Sequence, residues 1–537
     1  MLRLAAWLAL WTGVCGALLA ACGSADSTGS DASGSDGAGG RTGVGGAPGA
    51  GGEESGSSSG AIGAGGLGAG GESGTTSSGS TGSPGSTGSG NGAGGGDSGS
   101  GDGGAITGGA ASSSGGTGGS GSIEETGLVT AGTFFSCALL ADGRVKCWGF
   151  NAQGRLGLGN TDDLGTSPGH MGDNLTPLDF DARIVSSIES GISHSCVLFE
   201  GGVAACWGNN GFGELGLGLS GNRGDQGGEM GEDLLTINPG SGRTVAAVGA
   251  GNETSCALLD DDSIKCWGAN DFGQLGRGNL DHYGRESGET VDQLDPVNLG
   301  AGRTASAVSV GGLHVCAILD NGSVKCWGNN TNGKLGLEVA GDRGGVGDAM
   351  GDTLAPVDLG AGRTARSIAA GANHTCAILD DQTLKCWGDN FFGQLGQDDA
   401  DSRGLADNMG DALEPIDLGT DRQALAVSVG TSFTCALLDG GEVKCWGVNQ
   451  QGQLGQGDAD PRGGSDGDMA NLEPIDLGSG RTALSIAAGT THACAVLDDG
   501  AVKCWGDNSA GQLGQGDSDH RGDGGGEMGD ALDPVSL

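Results

Sequence analysis

Seven pairs of cysteines recur at a constant spacing, and their thiols are the reactive groups that this sequence repeats most regularly. The pairs are Cys137 with Cys147, Cys196 with Cys206, Cys256 with Cys266, Cys316 with Cys326, Cys376 with Cys386, Cys435 with Cys445 and Cys494 with Cys504. The members of every pair are ten positions apart, and four pairs carry a histidine two positions before the first cysteine: His194, His314, His374 and His492. Thiol and imidazole groups in this arrangement form disulfides or ligate zinc.

The spacing favours disulfides. Cys376 and Cys386 are symmetric about Asp381, so they face each other across a hairpin with a three-residue turn. Opposed residues bring their Cβ atoms to about 4.5–5.5 Å, close to what a disulfide requires. Such a turn needs a third residue that tolerates positive φ, and five copies have glycine there: Gly143, Gly202, Gly322, Gly441 and Gly500. Phe135, Thr254 and Phe433 replace the histidine in the other copies, which argues against zinc.

The hairpin is part of a repeat with a step of 59 or 60 residues between copies. Each unit has four short apolar runs separated by Gly, Asp and Asn, which predicts four strands per unit and no substantial helix. Seven such units from Thr126 to Leu537 predict an all-β, seven-bladed propeller. We expect Pro534 to Leu537 to close it by pairing with the first blade, which lacks a complete strand of this kind.

The N-terminal part differs in composition. Residues 1–21 combine Arg3 with an apolar run, which predicts an export signal. The run ends in Leu19-Ala20-Ala21-Cys22 and resembles a bacterial lipobox, which implies lipidation of Cys22. A cleaved signal with a spare Cys22 thiol is the alternative. Residues 22–125 are mostly Gly, Ser, Ala and Thr, so we expect a disordered tether between a cell-envelope membrane and the propeller.

The repeat resembles that of the regulator of chromosome condensation family. The resemblance rests on Ala369-Ala370-Gly371, on His374 and on Lys385-Cys386-Trp387-Gly388 with the following Asn390 and Gly393-Gln394-Leu395-Gly396. It implies a seven-bladed propeller. The eukaryotic namesake is a nuclear guanine-nucleotide exchange factor that docks on chromatin, and secreted bacterial relatives include a β-lactamase inhibitor. An export signal, paired cysteines and long acidic loops set this chain apart from the namesake.

Charge and motifs indicate binding rather than catalysis. A net charge of −42 argues against a nucleic-acid partner. No nucleophile, metalloprotease or phosphate-loop motif is present, so we predict no enzyme activity and no cofactor. We expect a monomeric surface lipoprotein that binds a protein or glycan at the outer membrane or cell surface. The alternatives are an inhibitor of an extracellular or periplasmic enzyme, a guanine-nucleotide exchange factor, and a lyase or glycan hydrolase.

The long loop that follows each hairpin is the candidate site. Asp398, Asp399, Asp401, Asp517 and Asp519 alternate on glycine-rich loops, a pattern with two interpretations: calcium ligands or, as the simpler alternative, a solvated loop tied by its own Arg–carboxylate pair and a buried Met. The third repeat is irregular and carries His282 and Tyr283, the one tyrosine of the chain. Phe212, Phe272 and Phe392 share one loop position. We predict that these aromatic residues bind the partner; the alternative for Tyr283 is that it covers its own loop.

Overall fold

The computed structural model describes residues 126–347 and 350–537. The predicted signal 1–21, the lipidation site Cys22 and the tether 22–125 lie outside the described residues, so these three features stay predictions. Within the described part, the chain forms seven three-stranded antiparallel sheets, one per repeat, as the repeat period predicted.

The strands follow one another in sequence order within each sheet, or blade. They are β1 Thr126–Ala131, β2 Phe135–Leu140, β3 Val145–Gly149, β4 Val185–Ser190, β5 His194–Phe199, β6 Val203–Gly208, β7 Val245–Ala250, β8 Thr254–Leu259, β9 Ile264–Gly268, β10 Ala305–Val310, β11 His314–Leu319, β12 Val324–Gly328, β13 Ala365–Ala370, β14 His374–Leu379, β15 Leu384–Gly388, β16 Ala424–Val429, β17 Phe433–Leu438, β18 Val443–Gly447, β19 Ala483–Ala488, β20 His492–Leu497 and β21 Val502–Gly506. Single 3-10 turns occupy Ala152–Gly154, Gly172–Asn174, Gly231–Asp233, Val291–Gln293, Thr331–Gly333, Gly351–Thr353, Gly410–Ala412 and Gly529–Ala531.

The predicted fourth strand is reduced to a short outer segment. In the fourth blade the Val357 N–H donates to the Val324 carbonyl of the third strand, and in the fifth blade the equivalent Ile416 N–H donates to Leu384. A proline precedes Val357 and Ile416, and proline has no N–H to extend the ladder. The segment therefore lies beside the third strand of its repeat without forming a regular strand.

The predicted disulfides are confirmed in all seven hairpins. Each one joins directly opposed residues, whose Cα atoms are 4.0–4.1 Å apart. The bonds link Cys137 to Cys147, Cys196 to Cys206, Cys256 to Cys266, Cys316 to Cys326, Cys376 to Cys386, Cys435 to Cys445 and Cys494 to Cys504. These cysteines are therefore engaged with one another, which excludes them as zinc thiolates.

The hairpin turns also match the sequence prediction. The five predicted turn glycines all have positive φ. Asp262 and Gln382 adopt the same conformation in the two copies without glycine, with φ of 62° and 68°. The three-residue turn thus keeps one backbone geometry in every blade, whichever residue stands at its third place.

The cores lie between neighbouring blades. One cluster joins Cys386 and Leu384 of one blade to Trp446 and Leu438 of the next. All seven hairpin tryptophans are fully buried, and each indole N–H donates to a turn carbonyl of the preceding blade at 2.7–3.1 Å. Burying an indole needs such a partner for its N–H, so one repeated bond fixes the stacking of the blades.

The contacts between the last and first blades are of the same kind. Trp148 donates to the Gln512 carbonyl, and Val129 and Trp148 pack with Val496 and Val535. The route of closure that the sequence suggested is wrong in detail. The Val535 N–H donates to Val502 of its own blade, and its neighbour Ser536 only accepts one backbone bond from Gly172. The C-terminal segment is thus the outer segment of the seventh blade, because the first blade already has its own.

Candidate functional site

A repeated turn geometry builds one end of the propeller, which we call the loop face. It consists of the turns after each Trp-Gly, such as 390–393, and of the long loops that follow them, such as 397–408. The turn asparagine holds each pair together: the Asn390 amide donates to the Asp399 carbonyl, and its oxygen accepts from the Leu395 N–H. The same two bonds occur in all seven blades, with donor–acceptor distances of 2.7–3.1 Å.

Each long loop also packs on the turn of the preceding blade. Gly393 has φ +80°, and a Cβ there would lie 2.3 Å from the Gly464 nitrogen of the next blade. Gly213 and Gly333 make the equivalent close approaches to the loops of the third and fifth blades. Only glycine fits between the two backbones. The backbone of the loop face is therefore fixed all the way round, and only its side chains vary.

Three of the acidic loops are tied by an arginine. Arg403, Arg462 and Arg521 pair with the carboxylates of Asp399, Asp458 and Asp517 at 2.6–2.7 Å. The Asp398 carboxylate accepts from the backbone N–H groups of Gly467 and Met469 in the next loop, and Met409 and Met469 are buried.

These bonds match the alternative of a self-tied loop. The described residues hold no group of three or more His, Cys, Asp or Glu side chains arranged for a metal ion. Calcium binding by Asp398, Asp399, Asp401, Asp517 and Asp519 stays a prediction.

The irregular third loop uses its unique residues to hold its own shape. The Tyr283 hydroxyl accepts from the Asn279 amide, and the guanidinium of Arg277 lies 4.5 Å from the tyrosine ring centroid. Tyr283 also packs partly buried on the cores of two blades. It stands where other loops have the tying arginine, so Tyr283 and Asn279 replace the Arg–Asp pair. Its predicted role as a binding residue has no support in these contacts.

The remaining predicted aromatic residues do lie on the loop face. The Nδ1 atom of His282 accepts from the Asn270 N–H, and its ring packs 5.0 Å from Phe212 of the second blade. Phe272 is half-buried at the same turn position, and Phe392 packs edge-on against Phe391 at 4.9 Å. Phe391, which sequence reasoning passed over, is more than half exposed, at 53%.

The four repeat histidines are interior spacers. Each Nε2 lies 2.7–2.9 Å from a Ser or Thr hydroxyl of the next blade, and that hydroxyl donates to a turn carbonyl. The hydroxyl proton is thereby used, so the histidine must donate from Nε2. Burial lowers the pKa of His374 to about 3 and those of His194 and His492 to about 4. No base for catalysis is exposed here.

Buried cations also have structural partners. The ammonium groups of Lys265, Lys325, Lys385 and Lys503 each donate to two backbone carbonyls, one from each of two neighbouring blades, and burial lowers their pKa. The second blade has Ala205 at this position. There Arg183 supplies the missing cation and donates to the Phe180 and Gly231 carbonyls.

One charged residue lines the axial cavity that the inner strands enclose. Glu189 of β4 shares this cavity of about 100 Å³ with Thr130, Ser309 and Ser428, and burial raises the pKa of its carboxyl well above the usual range. Other blades have Gly249, Ala369 or Ala487 there. Comparing the seven copies position by position would have found Glu189, which motif searching did not.

The described residues form no helix long and apolar enough to cross a bilayer. The chain matches the sequence model of the regulator of chromosome condensation (RCC1) repeat at residues 128–155, 185–214, 245–274, 305–334, 365–394, 425–453 and 484–512, once in each blade. A second model of the same repeat matches 142–198, 261–318, 321–378 and 440–496. The protein therefore belongs to the family of RCC1-repeat propellers.

Individual relatives have varied roles. The chain is 29% identical over 343 residues to the Arabidopsis thaliana ultraviolet-B receptor UVR8, covering 63% of this chain and 68% of the receptor. It is 29% identical over 278 residues to the human E3 ubiquitin-protein ligase HERC2, covering 50% of this chain but only 5% of the ligase.

Solved structures are similar in fold at low sequence identity. Yeast RCC1 (Prp20) bound to Kap60 has a TM-score of 0.55 at 20% identity, covering 77% of this chain and 86% of that one. Human WBSCR16 has a TM-score of 0.53 at 19% identity, covering 69% and 86%. These likenesses establish the propeller, which the sequence resemblance predicted.

Proposed function

We propose that the protein is a non-catalytic binding module that presents its loop face to a protein partner. The observation that carries this is the contrast between hairpins whose cysteines, tryptophan and following glycine recur in all seven blades and a loop face whose backbone bonds recur while its side chains differ. A catalytic site needs one distinct nucleophile or acid–base group. Here the histidines, lysines and tying arginines recur from blade to blade with structural partners. Glu189 does not recur, but its cavity of about 100 Å³ is smaller than the pockets that usually hold small-molecule substrates.

Protein binding is also the use for which relatives provide precedent. Yeast RCC1 was solved bound to Kap60, and another structure is described by the binding of Prp20p to Gsp1p and histones. We carry over protein binding as a class and none of those partners. A glycan is the runner-up ligand, and inhibition of an extracellular or periplasmic enzyme is a special case of protein binding. For a lyase or a glycan hydrolase, the described part of the loop face singles out no particular pair among its many carboxylates.

We also propose an envelope location. The apolar run before Cys22 and the Gly/Ser-rich 22–125 support an exported lipoprotein that carries the propeller on a tether. Seven disulfides in one chain fit an oxidising compartment. Metabolic labelling with an alkyne fatty acid should mark the wild-type chain and leave Cys22→Ala unlabelled. An unlabelled wild type would contradict lipidation.

Site-specific photo-crosslinking tests the binding function. A photoreactive residue replaces Phe391 on the loop face or, as control, Leu425, which is exposed at the opposite end of its blade. The full-length chain is then irradiated in its native cells. A discrete protein adduct at position 391 that is absent at 425 is the expected result. No protein adduct at position 391, or equal adducts at the two positions, would contradict a protein partner on this face.

A further inference from the structure

Exposed apolar side chains occupy only one part of the loop face. Those that the described residues place there are Leu219, Leu280, Val339, Val346, Phe391 and Leu405, and they are 41% to 81% exposed. They belong to blades two to five. The turns and long loops of the sixth, seventh and first blades present no large exposed apolar side chain among the described residues. We call these six residues the apolar sector.

Some members of the apolar sector come together where two neighbouring blades meet. The Leu280 side chain lies against Gly345, where an added Cβ would be 2.8 Å from Leu280 Cδ2, and Val346 follows directly. In the same way Leu405 follows the backbone that packs on Gly333. Leu280 and Val346 therefore lie at one blade junction, and Leu405 lies at the next one.

Two members of the sector replace a carboxylate of the tied loops. Leu219 and Val339 occupy the position of Asp399, Asp458 and Asp517, and the carbonyl at this position accepts the same asparagine bond in every blade. The backbone is thus unchanged. The arginine is still present as Arg223 and Arg343, which bond elsewhere, to Glu229 and to the Gly341 and Asp342 carbonyls. A bonded aspartate would fit at this position, so an exposed leucine or valine there does not contribute to the stability of the loop.

Charge indicates what kind of partner would cover this surface. Asp271, Asp281, Asp342 and Asp401 are exposed on the same turns and loops, and the whole chain has a net charge of −42. Apolar anchors with an acidic surround complement a segment that is apolar on one side and basic on the other. A second copy of this chain would bring like charges together.

We propose that the apolar sector binds a basic, amphipathic segment of the protein partner. This deepens the proposed function and rests on it. Leucine, valine and phenylalanine supply the anchors, and the surrounding carboxylates orient the basic side of the segment. Negative charge added at the apolar anchors should weaken the apolar contacts but strengthen the attraction to the basic side of the segment. Substitutions that add charge therefore distinguish the two contributions.

The test measures peptide affinity of the full-length protein by calorimetry. The probes are a helical peptide of leucine and lysine, a lysine-only peptide and a leucine–glutamate peptide. We expect the leucine–lysine peptide to bind most tightly. L219N/V339N, which installs the asparagine found at Asn160 and Asn279, should weaken it about tenfold, as should L219D/V339D despite two extra negative charges. The opposite-end control L425S/L484S should leave the affinity unchanged.

Several results would overturn the proposal. If L219D/V339D binds the leucine–lysine peptide as tightly as wild type, or more tightly, attraction between the net charges would account for all of the affinity. Equal binding of the lysine-only peptide would remove the apolar anchors, and tightest binding of the leucine–glutamate peptide would reverse the charge rule. A wild-type dimer that L219N/V339N dissociates in sedimentation would make a second copy the occupant. If no peptide binds while photo-crosslinking still captures a protein, the sector proposal fails and the proposed function stands.

Discussion

The hairpin strands and the loop face follow opposite rules. In the hairpins, the cysteines, the tryptophan and the following glycine recur in all seven repeats, and each has a defined bond or packing role. On the loop face the backbone bonds recur while the side chains change, from Asp517 to Leu219 at one position. Residues that every blade needs carry the fold, so a specific partner must be recognised by residues that differ. The following predictions test that division.

The largest effect should come from the shared interior. Trp387→Ala removes a fully buried indole and its bond to the Lys334 carbonyl. We expect a loss of about 3–5 kcal/mol in the free energy of unfolding, measured by denaturant titration, because a cavity is left and the Lys334 carbonyl keeps only the Thr375 hydroxyl as a side-chain donor. Leu425→Ser removes an exposed side chain and should change stability by no more than about 0.5 kcal/mol. Equal losses would contradict the contrast between shared and variable positions.

The free energy of unfolding should fall in acid because the buried histidines resist protonation. The pKa of His374 is about 3 in the fold against 6.5 for an ordinary histidine. Above pH 6.5 the histidine is neutral in both the folded and the unfolded chain, so its contribution to stability is fully present there. Stability is lost as pH falls from there towards about 3, by about 2 kcal/mol for His374 at about pH 5.

A matched variant isolates this effect. H374F/T434A copies the Phe433 and Ala493 found at the equivalent positions one blade on. Measured across pH, its unfolding free energy should fall less steeply than that of wild type. Parallel curves would show that the imidazole does not titrate on unfolding.

A smaller effect should follow at the one blade that lacks the lysine. Arg183→Ala leaves the Phe180 and Gly231 carbonyls without their guanidinium donor, so we expect a loss of about 1–2 kcal/mol. Adding Ala205→Lys restores the cation found in other blades and should recover most of it in denaturant titration. A double variant no more stable than the single one would show that Arg183 does not substitute for the lysine.

The smallest effect should lie in the tied loops. Asp517→Ala breaks a partly exposed pair with Arg521, so we expect less than about 1 kcal/mol. The same thermal scans with calcium and with chelator test the calcium prediction. Since the carboxylates of Asp399 and Asp517 are already engaged by arginine, we expect an unchanged midpoint. A calcium-dependent rise that Asp517→Ala abolishes would assign an ion to this loop.

The features that recur in every repeat could be predicted from the sequence. The period, the opposed cysteines and the turn position of Gly322 determine blades, disulfides and turn geometry from local rules. Prediction was less successful where the outcome depends on a neighbour. Tyr283 closes its own loop with Asn279, which matches the alternative for this residue, and its role in binding stays a prediction. The fourth strand failed because proline limits the outer segment to a single bond with the ladder, and the closure depends on which blade that segment joins.

The apolar sector was also missed, for a related reason. In the sequence, Leu219 and Val339 look like ordinary loop residues. The arginine pairs of three other blades show that an aspartate occupies the same position there. A position-by-position comparison of the repeats carries this signal, whereas motif searching favours the residues that do not change.

Hydrogen exchange of the full-length protein, with and without the leucine–lysine peptide, tests most directly whether recognition belongs to the variable loops. We predict slower exchange in the loop-face segments 217–225, 277–286, 337–347 and 397–407. We predict no change in the hairpin turns 141–143, 320–322 and 439–441, nor in the tied loops of the sixth and seventh blades, 456–463 and 515–522. Slowing of the hairpin turns or of these two tied loops to the same extent would contradict recognition by the apolar sector.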